Sequence, residues 1–127
     1  MTREVYSTAD APAPVASYSQ ACAGGDVLAV AGQVGADPMG AVVEGGVAAQ
    51  TEQALRNVEA VLRAAGASLA DVVRMDCYLT SFDDLAAFNE VYARWFPAPD
   101  PPARTTVVVG LAPGLLVEVT ALAVRRG

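Results

Sequence analysis

Neither histidine nor lysine occurs in the 127-residue chain, and all 8 basic residues are arginine. These absences exclude Ser–His and Cys–His nucleophile pairs, histidine metal sites, the phosphate-loop lysine and a lysine Schiff base to pyridoxal phosphate. Proton transfer then falls to Asp, Glu, Tyr, Cys or water, because arginine is effectively always charged. A compositional bias towards Arg and Ala accounts for the missing lysines. The chemical exclusion holds whatever its origin. Positive charge is scarce as well, since 14 acidic residues against 8 basic ones give a net charge of −6. Such a chain lacks the basic footprint of a phosphate-backbone binder, and no nucleic-acid partner is expected.

Cysteine is nearly absent. Cys22 and Cys77 fit no metal or redox spacing and read as thiols in a reducing cytoplasm. Met1 to Asp10 is polar and charged, unlike a signal peptide. Long hydrophobic runs are missing too. Thr105 to Val117, the longest uncharged C-terminal stretch, has 13 residues and is broken by Pro113-Gly114. A membrane helix needs about 18 or more. A cytoplasmic protein without membrane or metal partners is the expectation.

What remains is 54% hydrophobic and 17% charged, the profile of one folded domain spanning residues 1–127. Tyr18 to Cys22 reads as a short strand, and Val27 to Val34 as a buried one. A turn-rich loop from Gly35 to Gly40 leads to a short strand candidate, Ala41 to Val43. Val47 to Ala65 is the clearest helix, with Val47, Thr51, Leu55, Val58 and Leu62 on one stripe. Glu52–Arg56 and Glu59–Arg63 are i,i+4 pairs on its exposed side, and Gly66 is placed to end it. Asp71 to Thr80 alternates as a half-buried strand, with Val73, Met75, Cys77 and Leu79 on one face. Ser81 and Asp84 begin a second helix that Pro97 stops. Arg104 to Val109 and Leu115 to Val124 are the last strands. The order of elements indicates an α+β, mixed-sheet domain with two helices on one face.

Residues 101–122, "PPARTTVVVGLAPGLLVEVTAL", carry only two charges, Arg104 and Glu118. Read as an antiparallel hairpin centred on Ala112, the last two strands set Thr106 opposite Glu118 and Arg104 opposite Thr120. Arg104 is then diagonal to Glu118 on one face, with Cβ atoms within about 7–8 Å. A one-residue slip separates them. Two readings stand. One is a structural ion pair or an exposed strand face. In the other, Arg104 grips a substrate carboxylate through its planar fork while Glu118 acts on a water or proton. Asn89 sits at the edge of an aromatic stripe, where it either reaches water or, if buried, should find a partner. Tyr18 follows "DAPAPVAS" and is either a pocket wall or a boundary tyrosine. Gly32, ending a buried strand, points to close approach by a ligand or another chain. Gly32, Gly35 and Gly40 are not a phosphate loop.

Taken together, "APAPVASYSQA", "VAGQVGADP", "QTEQALRNVEAVLRAAGASLADVVRMDCYLT", "FNEVYARWF", "PPARTTV" and "LVEVTALAV" resemble the RidA/YjgF family of enamine/imine deaminases. The segments run in family order and cover nearly the whole chain. The resemblance implies a chorismate-mutase-like α+β fold and a homotrimer, with sheets inside, helices outside and three clefts between subunits. It implies cofactor-independent hydrolysis of 2-aminoacrylate and related imino acids to 2-oxo acids and ammonia. Arg104 matches the family arginine that binds the substrate carboxylate, and Glu118 the carboxylate that positions water. Tyr18, Gly32 and Asn89 match pocket positions, and Thr106 stands where many members carry Cys. A second departure is Ala16-Ser17, where the family usually has Gly-Pro. The alternatives are a specialised member acting on another pathway imine, or a non-catalytic small-carboxylate sensor using the same clefts. RNA cleavage has been ascribed to family members; acidity and the lack of His weigh against it here.

Overall fold

The computed structural model describes residues 2–126. Its elements are β1 (Glu4–Tyr6), β2 (Ala21–Gly24), β3 (Val27–Val34), α1 (Gly46–Ala64), β4 (Val72–Leu79), α2 (Leu85–Trp95), β5 (Ala103–Val108) and β6 (Val117–Val124). One six-stranded sheet runs in the order β1-β2-β3-β6-β4-β5, with the helices on one face. β4 and β5 pair in parallel, joined through α2; every other pairing is antiparallel. A parallel pair needs such a crossover, because a tight turn cannot reverse the chain twice.

This order corrects the hairpin reading. β5 and β6 do not pair, and β4 lies between them. β6 fills the slot between β3 and β4, which run the same way because α1 carries the chain from one to the other. An antiparallel strand there satisfies backbone groups on both of its sides, which a hairpin at the sheet edge would not. Thr106 is therefore opposite Cys77, and Arg104 opposite Met75. Smaller differences are local. The strand expected from Tyr18 begins at Ala21, and Ala41–Val43 contributes one bridge, Ala36 to Val42. Val73 is 47% exposed instead of facing the core, because a bulge between Val72 and Arg74 shifts the alternation.

α1 follows its stripe. Leu55, Val58, Val61 and Leu62 are fully buried against the sheet. The expected Glu52–Arg56 and Glu59–Arg63 pairs form, each at 3.6 Å. Gly66 adopts φ 76°, and two end bonds, Gly66 N–H to Arg63 and Ala67 N–H to Leu62, close the helix. At α2 the Ser81 hydroxyl accepts from the Asp83 N–H, and a 3-10 turn over Phe82–Asp84 precedes the helix.

Three buried amides tie loops to this core. Asn57 donates to the carbonyls of Val34 and Ala36, at 3.2 and 2.9 Å. Gln50 donates to the Gly114 carbonyl and accepts from the Leu116 N–H, both at 2.9 Å. Gln20 donates to the Pro12 carbonyl at 2.9 Å and accepts from the Thr8 N–H. Asn57→Leu keeps the branched shape but leaves the Val34 and Ala36 carbonyls without their donor. It is expected to cost about 2 kcal/mol, read as a lower urea midpoint at unchanged slope.

Candidate active site

Arg104 lies near the start of β5, on the helix-bearing face of the sheet, because its cross-strand partner Met75 is buried there. Its guanidinium carbon sits 4.8 Å from the Tyr92 ring centroid and 5.5 Å from that of Phe88. One N–H group donates to Asn89 Oδ1 at 2.8 Å. Two aromatic faces and one amide thus fix the plane of the fork by cation–π and hydrogen-bond attraction. Among the described residues no carboxylate pairs with it. It faces an open cleft of about 330 Å³ walled by Asn89, Tyr92, Phe96 and Pro102. Asn89 itself is half-buried, and this exposed bond to Arg104 engages its amide oxygen.

Glu118 is on β6 and points to the other face. Arg104 pairs with Met75 and Met75 with Ala121, three residues from Glu118; an odd separation along a strand puts side chains on opposite faces. The half-buried carboxylate lies over Gly32, where an added Cβ would meet Oε2 at 2.5 Å. Gly32 occupies the bulge between Val30 and Gln33. The close approach expected at this glycine is made by the chain's own carboxylate. Glu118 also has no ion pair among the described residues. The intramolecular Arg104–Glu118 ion pair therefore does not exist in this fold.

The other expected positions divide between the faces. Tyr18 is half-exposed in the loop before β2, its hydroxyl accepting from the Val15 N–H at 3.4 Å. It walls a hollow over Val30 and Ala31, next to Gly32. Thr106 is with Arg104 on the helix face. Its Oγ1 and the Tyr92 hydroxyl are buried without a hydrogen-bond partner among the described residues. One group thus contains Arg104, Asn89 and Thr106; the other contains Glu118, Gly32 and Tyr18.

The family model described as Endoribonuclease L-PSP matches residues 8–125. The chain belongs to the RidA/YjgF family. This RidA-family chain is 43% identical to a RutC family protein of Pyrococcus horikoshii over 126 residues, 98% of the chain and 99% of the relative. It is 37% identical to the 2-iminobutanoate/2-iminopropanoate deaminase of Bos taurus, covering 98% of the chain and 92% of that protein. Among solved structures, RidA from an Antarctic Psychrobacter superimposes with a TM-score of 0.90 at 38% identity, covering 96% and 99% of the two chains. Escherichia coli TdcF with bound serine gives 0.90 at 31%, covering 97% and 99%. The α+β fold of this RidA-family chain matches theirs. No helix among its described residues is long and apolar enough to cross a membrane.

Sequence reasoning missed the seat of Arg104. Tyr92 reads as one more aromatic of an apolar stripe, yet it carries the guanidinium in this RidA-family site. It also missed the buried amides. Gln50, Ala54, Asn57 and Val61 follow i, i+4, i+7, i+11, and that spacing was the available signal.

Burial beneath the site pushes the Cys77 thiol from 9.0 up to about 12, with Arg104 opposing and Asp76 reinforcing. Burial likewise raises the Tyr92 phenol, aided by Cys77 and opposed by Arg104. The folded Cys77 value exceeds the unfolded one, so its contribution to stability is complete below about pH 9. It is lost as pH rises towards 12, because only the unfolded chain gives up the proton. Cys77→Val is expected to flatten part of the alkaline decline in melting temperature. In the native protein at pH 8, a thiol reagent should modify Cys22 and spare Cys77.

Proposed function

We propose that the protein hydrolyses small carboxylate-bearing imines or enamines, such as 2-iminopropanoate, to 2-oxo acids and ammonia, at clefts between subunits of a homotrimer. The observation that carries this reading is the pair of unneutralised charges on opposite faces of one sheet. Neither can serve the other within a protomer, so a site using both needs a second copy. The open face supports assembly: Val27, Leu122 and Val124 are partly exposed there, and so is Val107, two strands from β6 on β5. Apolar residues on an uncovered sheet face call for cover. The mammalian relatives' name and the serine held by the Escherichia coli relative both fit a site for small amino-acid-like carboxylates.

In this mechanism Arg104 binds the substrate carboxylate through the part of its fork that Asn89 leaves open. Glu118 of the neighbouring copy orients a water and accepts its proton as the oxygen attacks the imine carbon. The C–N π electrons go to nitrogen, which takes that proton back from Glu118, giving a carbinolamine. Glu118 then carries the hydroxyl proton to the nitrogen, and C=O forms as the C–N bond breaks and ammonia leaves. The products, 2-oxo acid and ammonia, balance imine plus water. Tyr18 and Gly32 shape the wall beside the water, and the backbone at Thr106 borders the carboxylate. The imine carbon is already electrophilic, so the protein's task is orientation and proton transfer. A chain without Lys or His suffices for that, and no cofactor is needed.

Imines generated in situ and followed by ammonia release test the reading; no acceleration for any of them overturns it. Arg104→Ala and Glu118→Gln are each expected to lower kcat/KM by about 100-fold or more with the fold retained. Gly32→Ala should also depress kcat, since its methyl displaces the Glu118 carboxylate. Co-expressing the Arg104→Ala and Glu118→Gln chains should restore about a quarter of the sites, because random mixing joins intact halves across interfaces. No restoration, or a monomer by light scattering, refutes the shared cleft. A sensor would bind carboxylates and lose nothing on Glu118→Gln. Binding of RNA that weakens with salt is the result the net charge of −6 argues against.

A further inference from the structure

A second hollow, about 520 Å³, lies beyond Tyr18 where three loops meet at the end of β3. Four of the chain's eight prolines wall it: Pro12 and Pro14 on one loop, Pro38 on the second, Pro113 on the third. Proline fixes φ and has no N–H, so these walls are stiff and poor in donors. Each loop is also pinned by one of the buried amides. Gln20, 2% exposed, holds the carbonyls of Thr8, Ala11 and Pro12. Asn57, fully buried, holds Val34 and Ala36 at the root of the Pro38 loop. Gln50, 3% exposed, holds Gly114 and Leu116 on either side of the Pro113 loop's exit. Burying three amides at three separate loop roots is a costly way to shape a surface, and it converges on this one concavity.

From this convergence we infer that the hollow is the seat of the substrate's side chain, and that the preferred imine carries a bulky apolar group, branched aliphatic or aromatic. The inference rests on the deaminase reading and narrows it. Two contacts connect the hollow to the reacting centre. Tyr18 walls both it and the hollow beside Gly32, and Val34 on its floor is the cross-strand partner of Glu118. A group attached to the imine carbon beside the Glu118 water extends into this space. The volume is within the range of about 300–1,000 Å³ typical of small-ligand sites, and the methyl of an alanine-derived imine would leave most of it unfilled. Met39, 92% exposed, and Val42, 43% exposed, stand at its rim as apolar residues that the isolated fold does not use.

The test compares imines generated in situ from alanine, leucine and phenylalanine by an amino-acid oxidase, with the full-length protein in its native assembly. The leucine- or phenylalanine-derived imine is expected to show a kcat/KM at least about tenfold above the alanine-derived one. Val42→Phe, which fills the hollow from its half-exposed rim, should bring that ratio to about one. Equal rates for all three imines, or a ratio that Val42→Phe leaves unaltered, overturn the inference while the deaminase reading stands. Absence of turnover for every imine overturns the deaminase reading instead. Calorimetric titration with the products then decides the pocket separately. Tenfold tighter binding of 4-methyl-2-oxopentanoate than of pyruvate, abolished by Val42→Phe, supports it, and equal affinities refute it. A crystal structure with a segment of a second copy seated in the hollow refutes it as well.

Discussion

Strand β6, last in the chain and placed between β3 and β4, is the constraint on which the rest depends. It pairs antiparallel with both neighbours, so its alternation decides which side chains from three strands face the helices. Val117, Val119, Ala121 and Ala123 go into the core, and Glu118 is thereby committed to the open face. On β5, one strand beyond β4, the same pleat sends Arg104 to the helix face, where α2 supplies Phe88, Asn89 and Tyr92 to hold it. A single register thus builds the core and separates the two charges. Neither outcome can be changed without the other, because a one-residue slip would exchange buried valines for Glu118 and Thr120.

The polar interior serves the loops more than the sheet. Gln20, Gln50 and Asn57 bond carbonyls and N–H groups of the loops and strand ends. They hold the segments around Pro12, Gly114 and Ala36 to the core. Apolar residues at those positions would leave buried backbone groups unpaired, with a penalty of about 1–3 kcal/mol each. Global stability and the shape of the concave surface beside Tyr18 therefore rest on the same three amides. Beneath Arg104 the arrangement differs. There, Tyr92 and Thr106 present buried hydroxyls that no described residue satisfies. The guanidinium sits on an aromatic ring instead of against a carboxylate, which keeps its charge available to an anion.

The local elements were legible where periodicity is local. α1, β3 and β4 follow their apolar spacing, and Gly66 marks the helix end by its position alone. Strand order was not legible, because it depends on pairing between residues far apart in sequence. Gly110 to Gly114 looks like a hairpin turn, and nothing nearby in the chain reveals that β4 will separate β5 from β6. The bulge at Val73 is hidden for the same reason, since it exists only against β6. Arg104, Glu118 and Gly32 were conspicuous by residue type: two charges in an apolar segment and a glycine closing a strand. Their opposite-face arrangement required the register. Tyr92 reads as core because aromatic residues on a helix stripe mostly are, and its use under Arg104 depends on that side chain reaching α2 from β5.

Glu118 separates the catalytic reading from mere carboxylate capture. A module that only bound small acids would be complete with Arg104, Asn89 and the aromatic seat. A second carboxylate at the same cleft, where the proposed assembly sets Glu118 of a neighbouring copy, would repel the ligand and weaken binding by Coulombic opposition, most strongly where water is excluded. Yet the chain accommodates Glu118 at some expense. Gly32 forgoes a side chain within a strand to leave room for its carboxylate, and glycine there costs conformational entropy. A repulsive group given dedicated space is unexplained by affinity. The proposed reaction gives it a use: a water aimed at a carbon beside the bound acid, with a proton acceptor at hand when it attacks. In the proposed reaction the two charges that the fold keeps apart have different partners, one the substrate's carboxylate and the other its water.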